Sequence, residues 1–330
     1  MQKNEKTEKA EKIEKNKKIA QYGEIIGINT TGELLDPRYD YCFKRIFTAS
    51  EEQSKTALID FLDSILFGGE EKIKDLTIIN NELPAETYRQ KKARFDTRIV
   101  FVNGEQALVG MEFKTKDNFF KRSLHNISRM YSSQEVNGLS GSLKKCYMIG
   151  IMGHNLFEGE GFGYINEFTL KDKNGREYKE LSEMRIVYIE PEKTAKFLEK
   201  PVGDLTNAEA WGLFLRYASY DDKREVLEKI AEKTSGIKIA IDILTNISKD
   251  ALERIRYEDE LLTEIDRQAE IDFAVKKAQK EERQKAQEEE RRKAYDEKLE
   301  MAKEMLADGE QLSKIIKYTK LTTKEIEKIL

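Results

Sequence analysis

Two short segments decide most of what this chain can become. From Ala93 to Phe101, and again from Ala107 to Phe113, odd positions are apolar: Ala93, Phe95, Ile99 and Phe101, then Ala107, Val109, Met111 and Phe113. Even positions carry Arg94, Asp96, Arg98, Glu112, Lys114 and Lys116. Alternation of this kind predicts two strands, each half-buried. For both apolar rows to share one face, opposed residues must both be odd or both be even. A two-residue Asn103-Gly104 turn would pair odd with even and split the rows. A three-residue loop, Val102 to Gly104 with the glycine left-handed, keeps them together. A slip of one residue would turn a whole row out to water, so burial selects this register. It makes Asp96 and Glu112 diagonal neighbours and points Lys114 the same way. An acid followed on the next strand by Glu-x-Lys suits a magnesium site with a lysine beside it; the plainer alternative is a solvated face carrying ordinary ion pairs.

The flanking residues add a resemblance. Asp36-Pro37-Arg38-Tyr39-Asp40-Tyr41-Cys42-Phe43-Lys44-Arg45-Ile46-Phe47 is similar to the Asp-x-x-Phe-Lys-x-x-Phe opening of the PD-(D/E)xK nuclease, transposase-like proteins, which include the recombination-promoting nucleases (Rpn) of bacteria. Leu58-Ile59-Asp60-Phe61-Leu62, Asn80-Asn81-Glu82-Leu83, Asp96, Glu112-x-Lys114 and Arg122…Tyr131-Ser132-Ser133-Gln134 continue it in order. The ordered set is specific where no single motif is. Phe95 stands where the family name has proline, which only shapes the strand. Lys114 stands where many relatives have glutamine, which brings this copy nearer the general nuclease pattern. The resemblance implies a restriction-endonuclease-like three-layer α/β sandwich with a helical C-terminal extension.

Composition narrows the remaining classes. The chain has 330 residues, 39% apolar and 36% charged, with a net charge of −4, so any contact with DNA must come from a local patch. Cys42 and Cys146 are too few for a disulfide framework, and His125 and His154 have no ligand spacing, so zinc is not expected. No apolar run approaches the roughly 20 residues of a membrane span, and no signal-peptide core opens the chain. A cytoplasmic protein is expected.

Along the chain, residues 1–20 read as a charged arm, a frayed helix or disordered. Residues 21–200 read as the nuclease-like domain. Ser50-Glu51-Glu52-Gln53 predicts a capping box for a helix ended by Gly68-Gly69. Residues 73–79 predict a strand, 117–136 a helix, and 144–152 a strand covered on both faces. Residues 163–170 and 177–189 predict a hairpin around Asp172-Lys173-Asn174-Gly175. Residues 201–270 read as helical and 271–308 as a solvated charged helix. Residues 309–330 read as a small helix-turn-helix-like unit, for packing or assembly rather than direct DNA reading.

The chemistry this set would support is phosphodiester hydrolysis by a Mg²⁺-dependent DNA endonuclease, with Mn²⁺ as the alternative ion and recombination or mobile-element biology as the setting. Mg²⁺ takes oxygen ligands, commonly one or two carboxylates with water and phosphate, so Asp96, Glu112 and the Phe113 backbone carbonyl form the expected metal set. Asp96, Glu112 and Lys114 form the catalytic set, with Lys114 orienting water or stabilising charge. Three residues are expected in support. Gln134 faces inward, either towards the site or onto a strand end. Asp40 either caps its helix or assists the metal. Arg122 either meets phosphate or pairs with an acid on the surface, and Glu82 either approaches the metal edge or, as the favoured reading, is a surface acid. The competing function is a catalytically silent member that binds nucleic acid or a protein partner. Two cuts on a duplex would suit a homodimer, although no interface is legible.

Overall fold

A computed structural model of the chain describes residues 2–26, 28–49, 51–79, 97–112, 119–134, 143–178 and 181–329, the side chains of 2–11, 26, 267, 268 and 271 excepted. In chain order the elements are α1 (Gln2–Ile26), α2 (Asp40–Phe47), α3 (Glu52–Phe67), β1 (Leu76–Ile79), β2 (Thr97–Phe101), β3 (Gln106–Glu112) and α4 (Phe119–Ser132). Then come β4 (Cys146–Met152), β5 (Ile165–Phe168), β6 (Met184–Ile189), α5 (Asn207–Tyr217), α6 (Arg224–Lys233), α7 (Ser235–Lys249), α8 (Ala251–Ala307), α9 (Leu312–Thr319) and α10 (Thr323–Glu327). Two compact units divide the chain, Met1–Thr263 and Glu264–Leu330.

In the first unit six strands make one mixed sheet in the order β1-β2-β3-β4-β6-β5. The β2–β3 hairpin has the register that the apolar rows require. Thr97 lies opposite Val109 and Arg98 opposite Leu108, odd with odd and even with even. The loop is Val102–Gly104: the Phe101 amide donates to the Glu105 carbonyl at 2.8 Å, and Gly104 adopts φ 85°. That left-handed backbone is open to glycine without steric cost.

The structure corrects the expectation of two half-buried strands. β2 alternates, with Thr97, Ile99 and Phe101 buried, but Gln106, Ala107, Leu108 and Val109 of β3 are all buried. Leu108, at an even position, packs with Phe119, Ile127 and Met130 of α4. The chain returns from β3 to the parallel strand β4 through α4, and a crossover helix must cover one face of the strands that it joins. β4, central between β3 and β6 and parallel to both, is buried along its whole length. β5 pairs antiparallel with β6, and Lys171 bridges Glu177 around the turn, as the predicted hairpin requires.

The other sheet face is covered by helices. α3 packs on α2, α5 and α7, and Phe67 at its end meets Tyr147 of β4 edge-on at 6.0 Å. Within this layer Trp211 is fully buried against Phe47, Phe61 and Phe214, and its indole N–H donates to Asp60 at 2.7 Å. A Cβ on Gly236 would lie 2.4 Å from the Asp60 side chain, so glycine lets α7 approach α3. α3 ends on left-handed Gly68, as expected, but its N-cap is Glu51 and no side chain caps it. Ser50, and with it the predicted capping box, lies outside the described residues.

α8 runs 57 residues without glycine or proline, and its first turns meet α1 through Lys15–Glu258 at 3.0 Å. In the second unit Ala302, Ile315, Leu321 and Ile326 form a small core, and Thr322 with Glu325 closes a capping box on α10. Among the described residues no helix is long and apolar enough to cross a membrane.

Candidate active site

β3 and β4 run parallel, and Glu112 ends β3 opposite Met152. Crevices beyond the carboxyl ends of parallel strands are where α/β sheets place ligands. The Gly153 amide donates to the Glu112 carbonyl at 2.9 Å, which fixes the strand end. The Glu112 side chain is 16% exposed and accepts a short hydrogen bond from Arg122 of α4. Arg122, 41% exposed, lies over the Phe119 ring at 5.6 Å. Of the two roles expected for Arg122, the structure shows pairing with an acid, and that acid is one of the expected site residues. The hairpin register also brings the start of β2 to this edge, because Thr97 pairs with Val109, near the end of β3. Asp96, Phe113 and Lys114 lie outside the described residues, as does Glu82.

Gln134 does not join Glu112. Its amide nitrogen donates to the Lys144 carbonyl at 2.9 Å and to the Cys146 sulfur at 3.0 Å, and its oxygen accepts from the Lys144 amide at 2.9 Å. Those groups open β4, whereas Glu112 lies beside Met152 at the close of it. The six rises from Cys146 to Met152 set the two ends about 20 Å apart. Gln134 takes the strand-end role of its two expected ones.

Asp40 does not cap α2: the N-cap is Tyr39, and Asp40, the first helical residue, pairs with Lys44 one turn on. There it complements the helix dipole. α2 belongs to the layer opposite α4, whereas Glu112 faces α4. One Asp40 oxygen, Oδ1, is buried without a hydrogen-bond partner.

Two buried polar clusters escaped the sequence reading. Asp36 and Arg38, both fully buried, form a two-pronged pair, with Arg38 Nε on Oδ1 at 3.0 Å and Nη2 on Oδ2 at 2.8 Å. Arg38 continues to Glu192 at 2.8 Å, which also holds Arg216 at 2.7 Å. Glu190, fully buried just beyond β6, accepts from the Leu156 and Phe157 amides, from Asn166 at 2.7 Å and from Lys193 at 2.8 Å. Asp36-Pro37-Arg38 was visible as a motif; nothing in sequence spacing linked it to Glu192.

Both cysteines are buried thiols. Burial pushes the Cys146 thiol up to about 12, the Gln134 donor and Arg98 pulling the other way. Burial also raises Cys42 well above its ordinary value. The expected outcome is a native protein whose thiols resist a disulfide reagent and react fully in denaturant. In the unfolded chain such thiols ionise near pH ~8.5. Above that pH the unfolded state binds fewer protons, so this contribution to stability falls as pH rises. Rapid native labelling of either cysteine would contradict the burial.

As a hard carboxylate at a sheet edge, Glu112 fits a divalent cation. Among the described residues no group of three or more His, Cys, Asp or Glu side chains gathers to hold a metal; of the expected ligands Asp96, Glu112 and Phe113, only Glu112 is described. No curated protein and no solved structure matches the chain. A family model described as PD-(D/E)XK nuclease family transposase matches residues 37–274, from the α2 approach through the sheet and helical layer into α8. By fold, by the ordered motifs and by this match over most of its length, the chain belongs to the PD-(D/E)XK nuclease family transposases.

Proposed function

We propose that the protein is a divalent-metal-dependent DNA endonuclease, transposase-like, hydrolysing phosphodiester bonds at the edge formed by the β2 start and the β3 end. The observation that carries the reading is Glu112: an acid held by Arg122 at the carboxyl end of β3, where the hairpin register brings the start of β2 alongside. In this reading Asp96, Glu112 and the Phe113 carbonyl hold Mg²⁺, or Mn²⁺ in its place. The ion, when bound, supplies charge neutralisation and water activation. Lys114 holds the attacking water and offsets the charge that grows on the phosphate oxygens. Arg122 fixes the Glu112 side chain and offers its remaining N–H groups to a phosphate, a fork geometry that lysine cannot reproduce. Asp40, paired with Lys44 on α2, and Gln134, bonded to the β4 start, stand outside this set.

A second reading has one observation in its favour. An arginine already on Glu112 would also suit a silent member, in which the pair is structural and the chain binds nucleic acid or a partner without cutting. One experiment separates them. Mobility shifts in calcium measure binding at a site that does not turn over, and transfer to magnesium then measures cleavage. Binding in calcium followed by cleavage in magnesium is the expected result. Binding without cleavage in either magnesium or manganese would sink the endonuclease reading.

A further inference from the structure

The loop of residues 156–163, Leu-Phe-Glu-Gly-Glu-Gly-Phe-Gly, follows β4 at the same carboxyl end of the sheet as Glu112. Both its feet are tied to one buried polar pair. Glu190 accepts from the Leu156 and Phe157 amides, Lys193 donates to the Phe157 carbonyl at 2.8 Å, and the Asn166 side chain bonds Gly163 twice at 3.0 Å. Asn166 and Glu190 also hold each other. Between those feet, Gly159 (φ 103°) and Gly161 (φ 91°) turn the chain so that Phe157 and Phe162 stack, 5.1 Å apart and 18° from parallel. A fully buried carboxylate with its donors satisfied fixes the loop in one shape.

That shape presents rings to solvent instead of burying them. Phe162 is 43% exposed, Phe168 39% and Phe120 45%. Phe157 joins them, 5.2 Å from Phe168 and 6.0 Å from Phe120, above Tyr188. A contiguous exposed apolar patch marks an interaction surface more often than scattered apolar residues do. This one runs directly to the site. Phe120 contacts Phe119 at 5.6 Å, and Phe119 carries the Arg122 guanidinium that holds Glu112.

We propose that Phe157, Phe162 and Phe120 form a stacking platform for unpaired bases, so that the strand at Glu112 is single-stranded or locally melted DNA. The inference rests on the endonuclease reading for the strand's presence at Glu112. Every base has a flat face, so aromatic platforms hold single strands without sequence preference. Charge sets the path of the backbone. Glu158 and Glu160 on the loop repel phosphate, whereas Lys121 and Arg122 lie on the α4 side beside Phe120. The bases therefore lie on the rings and the phosphates run along α4. Duplex DNA keeps its base faces stacked internally and gains nothing from the platform.

The test is fluorescence anisotropy of the full-length protein in calcium with three probes: an oligothymidylate, the same oligomer with its bases replaced by abasic sites, and a duplex. The oligothymidylate is expected to bind at least about fivefold tighter than the abasic strand, the smaller end of one stacked base. Phe162→Ala should erase that difference, Phe162→Tyr should keep it, and an unchanged melting temperature for both variants shows that the fold is intact. Equal binding of the thymidylate and abasic strands, a Phe162→Ala variant that keeps the preference, or a preference for duplex would each overturn the platform. So would no binding of single strands at all, which would leave the patch to a protein partner. A base-dependent preference without cleavage in magnesium removes the endonuclease reading and keeps the platform; cleavage with no base dependence does the reverse.

Discussion

Replacing Asp96 or Glu112 by alanine is expected to abolish magnesium-dependent cleavage. Lys114→Gln is expected to keep metal binding and lose on the order of 10²–10⁴-fold in rate, the range for a group that moves or holds a proton in the transition state. The two carboxylate variants should lose at least as much, because they remove the ion with its charge. Relief of repulsion between two acids adds no stability at Glu112. Its carboxylate already has Arg122, and Arg122 is exposed enough to be rehydrated once Glu112 is gone. Glu112→Ala should therefore change stability by no more than about 1 kcal/mol, the scale of a partly exposed ion pair. Single-turnover cleavage and a urea titration run side by side separate loss of chemistry from loss of fold. Wild-type rates from either alanine variant would remove the proposed site, and an undiminished Lys114→Gln would remove only the lysine.

The largest effect on stability is expected far from that edge, at Arg38→Met. Arg38 is fully buried and binds Asp36 with two prongs and Glu192 with a third nitrogen. Burial by itself would lower its pKa; Asp36 first, then Glu192, outweigh that and hold it above the ordinary arginine value. Removing one partner of a buried pair leaves an uncompensated charge, at a cost of about 3–5 kcal/mol. Among the described residues, Asp36 would keep the Asn29 and Arg38 amides and the Ser219 hydroxyl as donors. Adding Asp36→Asn to Arg38→Met should recover part of the loss, because the neutral amide no longer needs the cation. Urea midpoints of the two single variants and the double variant measure this coupling. An Arg38→Met variant within about 1 kcal/mol of wild type would show that the pair is dispensable.

What the sequence made legible follows from periods, and what it hid follows from heights and coverings. The parity of Ile99, Phe101, Ala107 and Val109 was enough to choose a three-residue loop over a two-residue one, and Gly104 takes the left-handed conformation that the choice demanded. The continuous apolar run at Cys146–Met152 was enough to make that strand central. Coverage of the second face of β3 was harder to see, because Leu108 is one apolar residue in an otherwise polar row and gives no period. Gln134 shows a different failure. Its phase relative to Ile127 and Tyr131 gave the correct side of α4, but phase says nothing of position along the axis. From Arg122 to Gln134 a helix advances about 18 Å, and a crossover helix between parallel strands runs from the end of one to the start of the next. Arg122 therefore meets Glu112, and Gln134 meets Lys144 and Cys146. The link from Arg38 to Glu192 spans 154 residues, with no local pattern to announce it.

The chain's one tryptophan has a consequence for anyone who watches this molecule in solution. Trp211 is shut among Phe47, Phe61 and Phe214, in the helical layer on the sheet face opposite Glu112 and Arg122. Its emission is a gauge of that layer alone. A strand settling on Phe162, or a cation at Glu112, passes without a signal in the indole band. The unit Glu264–Leu330 holds no tryptophan, so its melting is dark in indole emission and visible as lost helical ellipticity. Emission and ellipticity therefore track different parts of one chain, and disagreement between their transitions would report two separately melting units, not an impure sample.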